Sequence, residues 1–157
     1  MSEHQAKLEW TRESHPSEPG TYSRNHTVEV NGDQLIRVSA SSEFKGDPNI
    51  ADPEQLLVGA VSSCMMLFFL AIAEARGFRV ERYADRPTGF LEKPEGGGPK
   101  MVARIHLHPF VSFGGERQPS DAEFHKLIES AHKQCFIANS IKAEVSVMGE
   151  FEMMECQ

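Results

Sequence analysis

Cys64, Cys135 and Cys156 are the residues of this chain best suited to covalent or redox chemistry. A thiol reacts as its thiolate, which needs a cation or another donor beside it and is disfavoured by apolar burial. Cys64 sits deep inside an apolar stretch, too far from the start of any helix there for the helix dipole to ionise it. A cation must therefore come from elsewhere, and the preceding segment offers Arg24 and Arg37. Glu54 lies ten residues before Cys64, close to three helical turns, and could hold such an arginine between its carboxylate and the sulfur. A thiolate that attacks a peroxide becomes a sulfenic acid, and a second thiol such as Cys135 can then condense with it, provided the fold brings them together. Met65, Met66, Leu67, Phe68 and Phe69 follow Cys64 and suit either an apolar pocket for an organic substrate or an ordinary core. Cys156, next to a polar end, is assigned no role.

The same inventory weighs against other chemistries. His106 and His108 share one face of a predicted strand and His132 precedes Cys135 by three residues, yet no close Cys/His pair has a zinc-binding spacing. No metal and no cofactor are expected. A net charge of −7 gives no general attraction to nucleic acid. The polar opening MSEHQAKLEW has no signal-peptide pattern, so a cytoplasmic location is expected. An odd number of cysteines in a reducing compartment argues against a structural disulfide framework.

The element that must carry Cys64 is a helix over Asp52–Gly77. Asp52 is its cap, Pro53 its first residue and Gln55 the return partner of a capping box, while Arg76 in the last turn and Gly77 close it. It would be about 36 Å long at ~1.5 Å per residue. No charge occurs from Leu56 to Ala73, and a helix apolar on every face is buried in protein or in lipid. Gly59, Ser62, Ser63 and Cys64 dilute the run, which favours a core helix over a membrane span. A helix this apolar is hard to surround within 157 residues, which points to a partner subunit and a symmetric dimer.

Around it the sequence reads as one domain, residues 1–157, with a polar segment over 1–20 and a core over about 21–148. His26–Val30 alternates, Asn31-Gly32 turns, and Ile36, Val38 and Ala40 return. Residues 79–92 form a strand bent at Asp85-Arg86-Pro87, and Met101, Ala103, Ile105 and Leu107 mark the inner face of another. Ser120 and Glu123 open a second helix with the stripe Phe124, Leu127, Ile128 and Ala131. Cys135 comes at its end, followed by FIANSI and a last strand over Ala143–Met148, beyond which the tail extends it or frays. Strand pairs with helices packed on them make an α+β class, with antiparallel strands around a long buried central helix.

Two segments resemble the OsmC/Ohr family, the osmotically inducible and organic hydroperoxide resistance proteins. PEQLLVGAVSSC at 53–64 matches the family's helix opening and first cysteine; CFIANSIKAEVSV at 135–147 matches its second cysteine, short helix and final strand. The likeness in element order covers roughly residues 20–148. Phe136, where many relatives have proline, and Met65 and Met66 mark a less typical branch. The resemblance implies an intertwined α+β homodimer with active sites at the subunit interface. It implies thiol-dependent reduction of organic hydroperoxides, with a dithiol such as dihydrolipoamide as reductant, and no membrane or nucleic-acid partner. By position, Cys64 is the peroxidatic cysteine, Cys135 the resolving one and Glu54 the partner of the active-site arginine. Arg24, in YSRNH, is the best match to that arginine and Arg37 the second choice. Met65 and Phe68 are the expected substrate pocket. The alternative is a non-catalytic dimer of the same fold that holds an apolar or acyl ligand in its interface cavity.

Overall fold

A computed structural model describes residues 1–155 of the chain, so Cys156 lies outside the described residues. The chain divides into two units, Met1–Leu56 and a second from Leu57 onward.

In the first unit β1 (Lys7–Glu9), β2 (His26–Val30) and β3 (Gln34–Val38) form an antiparallel sheet in that order. The predicted hairpin is present, with a loop one residue longer than Asn31-Gly32. Gly32 and Asp33 both turn left-handed, at φ 54° and 64°, before Val30 pairs with Gln34. Aspartate tolerates that conformation better than most side chains. β1 lies where the sequence has no period; it forms by pairing with the open edge of β2, an attachment that needs no pattern of its own. This unit is laced by polar groups. Ser39 Oγ donates to Asn25 Oδ1 at 2.8 Å and accepts from the Asp47 amide at 3.0 Å. The Trp10 indole donates to the Ser23 carbonyl at 3.0 Å and stands edge-on to Tyr22.

α1 (Pro53–Ala75) begins with the expected capping box: the Gln55 amide donates to Asp52 Oδ1 at 2.8 Å and the Asp52 amide to Gln55 Oε1 at 3.1 Å. It ends on Gly77 at φ 80°, with the Phe78 amide reaching back to the Ala73 carbonyl. Arg76 lies just past the helix rather than in its last turn. Val58, Val61, Met65, Phe69 and Ala73 make its buried stripe. Gly59, Ala60, Ser63, Leu67 and Ala71 are exposed on the other side. The helix is long and apolar enough to cross a membrane by length and composition alone. Within the second unit it is a core helix with one uncovered face.

The remaining strands are β4 (Arg79–Ala84), β5 (Thr88–Glu92), β6 (Met101–Leu107), β7 (Phe110–Gly114), β8 (Glu144–Val147) and β9 (Glu150–Met153). They form two three-stranded sheets, ordered β4-β7-β9 and β5-β6-β8. Each sheet is one half of three long strands bent at 85–87, 108–109 and 148–149. β4 and β5 run antiparallel to β7 and β6, while β8 and β9 run parallel to them. The bends are stitched together. The His108 amide donates to Asp85 Oδ1 at 2.7 Å, and the Met148 and Glu150 amides donate to the carbonyls of Leu107 and Pro109. β7 was not anticipated, because four of its five residues are buried and such a strand shows no alternation. The tail does extend the last strand, as β9.

α2 (Asp121–Gln134) carries the predicted capping box at Ser120 and Glu123, and its predicted stripe Phe124, Leu127, Ile128 and Ala131 is buried. Aromatic rings join the layers: Phe69 lies 5.5 Å from Tyr83 and 5.9 Å from Phe124 between centroids, and Phe124 lies 4.5 Å from Phe151. Gly89 lets α1 approach β5, since a Cβ there would fall 2.4 Å from Val58 Cγ2. The class is α+β, as expected.

Candidate active site

Cys64 and Cys135 meet although one comes from the middle of α1 and the other from the end of α2. Both are free thiols. Cys135 leaves helical geometry at φ −60°, ψ 111° and caps α2, its amide donating to the His132 carbonyl. The turn that follows is fixed from within. The Asn139 amide and side chain both donate to the Cys135 carbonyl at 3.0 Å, and the side chain also reaches the Lys133 carbonyl. CFIANS is therefore a clamp for one sulfur.

That sulfur is fully buried. Its thiol points at the Val61 carbonyl at 3.9 Å, one turn before Cys64, and accepts from the Ala138 amide at 3.4 Å. It also lies within hydrogen-bonding reach of Cys64. Burial pushes the Cys135 thiol above its ordinary pKa, and its bond to Cys64 adds to this; the Ala138 amide opposes it. Cys135 thus keeps its proton. Cys64 is half-buried and open on one side.

The surroundings are apolar toward solvent and polar toward the sheet. Phe68 is half-buried and packs edge-on against Phe136 at 4.8 Å; Phe136 is 71% exposed and Leu67 60%. Met65 faces the core, fully buried between Val61 and Phe69. On the sheet side Ser62 Oγ donates to Asp85 Oδ2 at 2.6 Å, tying α1 to the strand bend. Tyr83 packs on Phe69 and carries the one buried side-chain polar atom among the described residues that has no hydrogen-bond partner, its hydroxyl. Neither Tyr83 nor Asp85 was singled out from the sequence. Asp85 read only as part of a bend, and Tyr83 carries no local signal of its own.

Arg24 lies in the first unit, its guanidinium 4.1 Å above the Tyr22 ring. It donates to Thr21 Oγ1 at 2.9 Å and to the Tyr22 carbonyl. Arg37 is exposed on β3 opposite Thr27. Glu54 is half-buried in the first turn of α1. His106 packs on Phe90 and its ring lies 6.4 Å from that of His108. Among the described residues no group of three His, Cys, Asp or Glu side chains is placed to hold a metal ion.

Known proteins resemble this arrangement over nearly its whole length. A solved OsmC-like protein of unknown function from Vibrio cholerae O1 biovar eltor is 38% identical, with a TM-score of 0.85 over 98% of this chain and 100% of that one. An uncharacterised protein of Bacillus subtilis strain 168, YmaD, is 24% identical over 84% of this chain and 87% of its own length. An organic hydroperoxide resistance protein from Elizabethkingia anophelis shares the fold at 17% identity, with a TM-score of 0.69 over 98% of each chain. The family described as OsmC-like protein matches residues 46–148, a span that holds both cysteines of the site. This chain belongs to the OsmC-like protein family.

Proposed function

We propose that this protein is a thiol-dependent peroxidase that reduces organic hydroperoxides. The observation that carries the reading is the contact between Cys64 and a buried Cys135 that holds its proton. A buried thiol that keeps its proton is the partner in such a pair, and the more open sulfur is the attacker. Cys64, as thiolate, attacks the outer, hydroxyl-bearing oxygen of the hydroperoxide; the O–O bond breaks, the alkoxide leaves and takes a proton from solvent to become the alcohol, and Cys64 becomes a sulfenic acid. The Cys135 sulfur then displaces water from Cys64 and a disulfide forms. A dithiol returns both sulfurs to thiols.

Arg24, with Arg37 as the second choice, and Glu54 are assigned to stabilising the Cys64 thiolate. Phe68, with Phe136 and Leu67 beside it, is assigned to the apolar wall that selects organic substrates, and Met65 backs that wall from the core. The uncovered face of α1 is assigned to a homodimer contact. The working compartment is the cytoplasm.

The test is consumption of cumene hydroperoxide with a dithiol present. Wild type should turn over, and Cys64→Ser should lose all turnover. Cys135→Ser should be oxidised once and stop as a sulfenic acid. Equal consumption by wild type and Cys64→Ser would defeat the reading. It would then favour a non-catalytic dimer holding an acyl ligand, for which the exposed Leu67 and Phe136 are the supporting observation.

A further inference from the structure

The reductive half of the cycle sets a problem that the buried sulfur cannot solve alone. A dithiol can reach only the open side of a Cys64–Cys135 disulfide, because Cys135 is fully enclosed. Its first thiolate must attack Cys64 Sγ. The Cys64–Cys135 bond breaks and its electron pair goes to Cys135 Sγ, which leaves as a thiolate. The second thiol of the reductant then closes on the mixed disulfide and frees Cys64. Two electrons and two protons pass from dithiol to protein. A leaving thiolate departs faster when its negative charge is stabilised. Cys135 must carry that charge where burial disfavours it, with only the backbone amides of Ala138 and Ile137 to set against that cost.

Tyr83 has the spare donor. Its hydroxyl is sealed from solvent and has no partner among the described residues. A buried hydroxyl in that condition is costly, so its retention calls for a use. Two groups face it within electrostatic range, Asp85 and Cys135. Both Asp85 oxygens already accept hydrogen bonds, Oδ1 from the His108 amide and Oδ2 from Ser62 Oγ. The Ser62 tie and the Phe69 contact hold the tyrosine against the same two turns of α1 that flank the cysteine pair.

We infer that Tyr83 is the hydrogen-bond donor that receives the Cys135 thiolate when the disulfide is reduced. The hydroxyl waits unpartnered while Cys135 is protonated and is satisfied only when that sulfur is charged. The inference rests on the peroxidase reading for its place in a cycle, but its physical core can be tested without any peroxide.

In a Cys64→Ser, Cys156→Ser background Cys135 is the sole thiol. Its ionisation is followed by ultraviolet thiolate absorbance, corrected for tyrosinate. Adding Tyr83→Phe should raise the Cys135 pKa and lower its thiolate fraction about tenfold at fixed pH, the effect of one lost hydrogen bond to a charge. In the otherwise wild-type chain, Tyr83→Phe should leave the oxidation of Cys64 to its sulfenic acid by hydroperoxide unchanged and slow the reduction of the disulfide by dithiothreitol by a similar factor. An unshifted Cys135 pKa in a variant that melts like its parent overturns the inference. A wild type that never forms the disulfide overturns the peroxidase reading instead, with the pKa comparison still deciding Tyr83. If Tyr83→Phe does not fold, fluorotyrosine placed at position 83 supplies a more acidic hydroxyl of nearly the same shape. It must lower the Cys135 pKa, and no change counts against the inference.

Discussion

The two units of the chain are held by different means. The first has one buried hydrophobic residue, Val38, and two buried serines, Ser23 and Ser39; Leu8, Trp10, Tyr22 and Leu35 remain exposed. Its order comes from hydrogen bonds around Asn25, Ser39 and Asp47 and from a cation-bearing tyrosine ring. The second unit buries a continuous aromatic and aliphatic core from α1, α2 and the bent sheets. Directional bonds fail one at a time and locally, whereas a close-packed core gives way cooperatively. Arg24 lies in the laced unit, and Cys64 and Cys135 lie in the packed one.

The sharpest way to break the contrast is at Phe69, whose ring touches those of Tyr83, Phe113 and Phe124. Phe69→Ala should cost about 3–5 kcal/mol in urea unfolding and lower protection from amide exchange throughout the second unit. A loss below 1 kcal/mol would mean that the aromatic cluster is not what holds it. Ser39→Ala removes one donor and strands Asn25 Oδ1 and the Asp47 amide, for about 1–3 kcal/mol. Its exchange changes should stay within the first unit; a global effect would dissolve the distinction. Ser120→Ala, which takes the cap from α2, should cost about 1 kcal/mol. It should also weaken the placement of Cys135, read as slower disulfide closure.

The smallest effect is on pH dependence, and it falls on the second unit alone. Burial raises the pKa of both the Cys135 thiol and the Tyr83 hydroxyl in the fold. Each therefore holds its proton to higher pH in the folded chain than in the unfolded one. Their contribution is complete at neutral pH and declines as pH rises past the ordinary thiol value of about 8.5 and then past the phenol value of about 10. Melting temperature should fall across that alkaline range, and less so in the Cys135→Ser variant. An unchanged alkaline slope in that variant would remove Cys135 as a contributor.

Much of this was legible before any coordinates. Capping boxes are local chemistry, so Asp52 with Gln55 and Ser120 with Glu123 could be read directly, and the α2 stripe follows from its period. The bend at 85–87 announced itself through proline. Other features had no local signature. β1 exists because β2 has an open edge, and β7 is buried on both faces, so neither shows alternation. The contact of Cys64 with Cys135 is a product of topology: thiol chemistry made the pair a candidate and the resemblance to relatives supported it, but nothing local in the sequence brings the two sulfurs together. Tyr83 could not be singled out, because an unsatisfied hydroxyl is defined by what surrounds it in space.

The parallel pairing of β8 with β6 has a consequence for how this chain can vary. After β7 the polypeptide must travel back the length of the sheet before β8 can start beside Arg104, and α2 makes most of that journey. Cys135 rides at the far end of the return leg like a pin on a crankshaft. One residue added to or taken from α2 would advance the pin by ~1.5 Å and swing it through about 100°. The sheet could absorb such a change in the loop that follows, but the sulfur would face another way. The register of α2 therefore decides whether Cys135 faces Cys64.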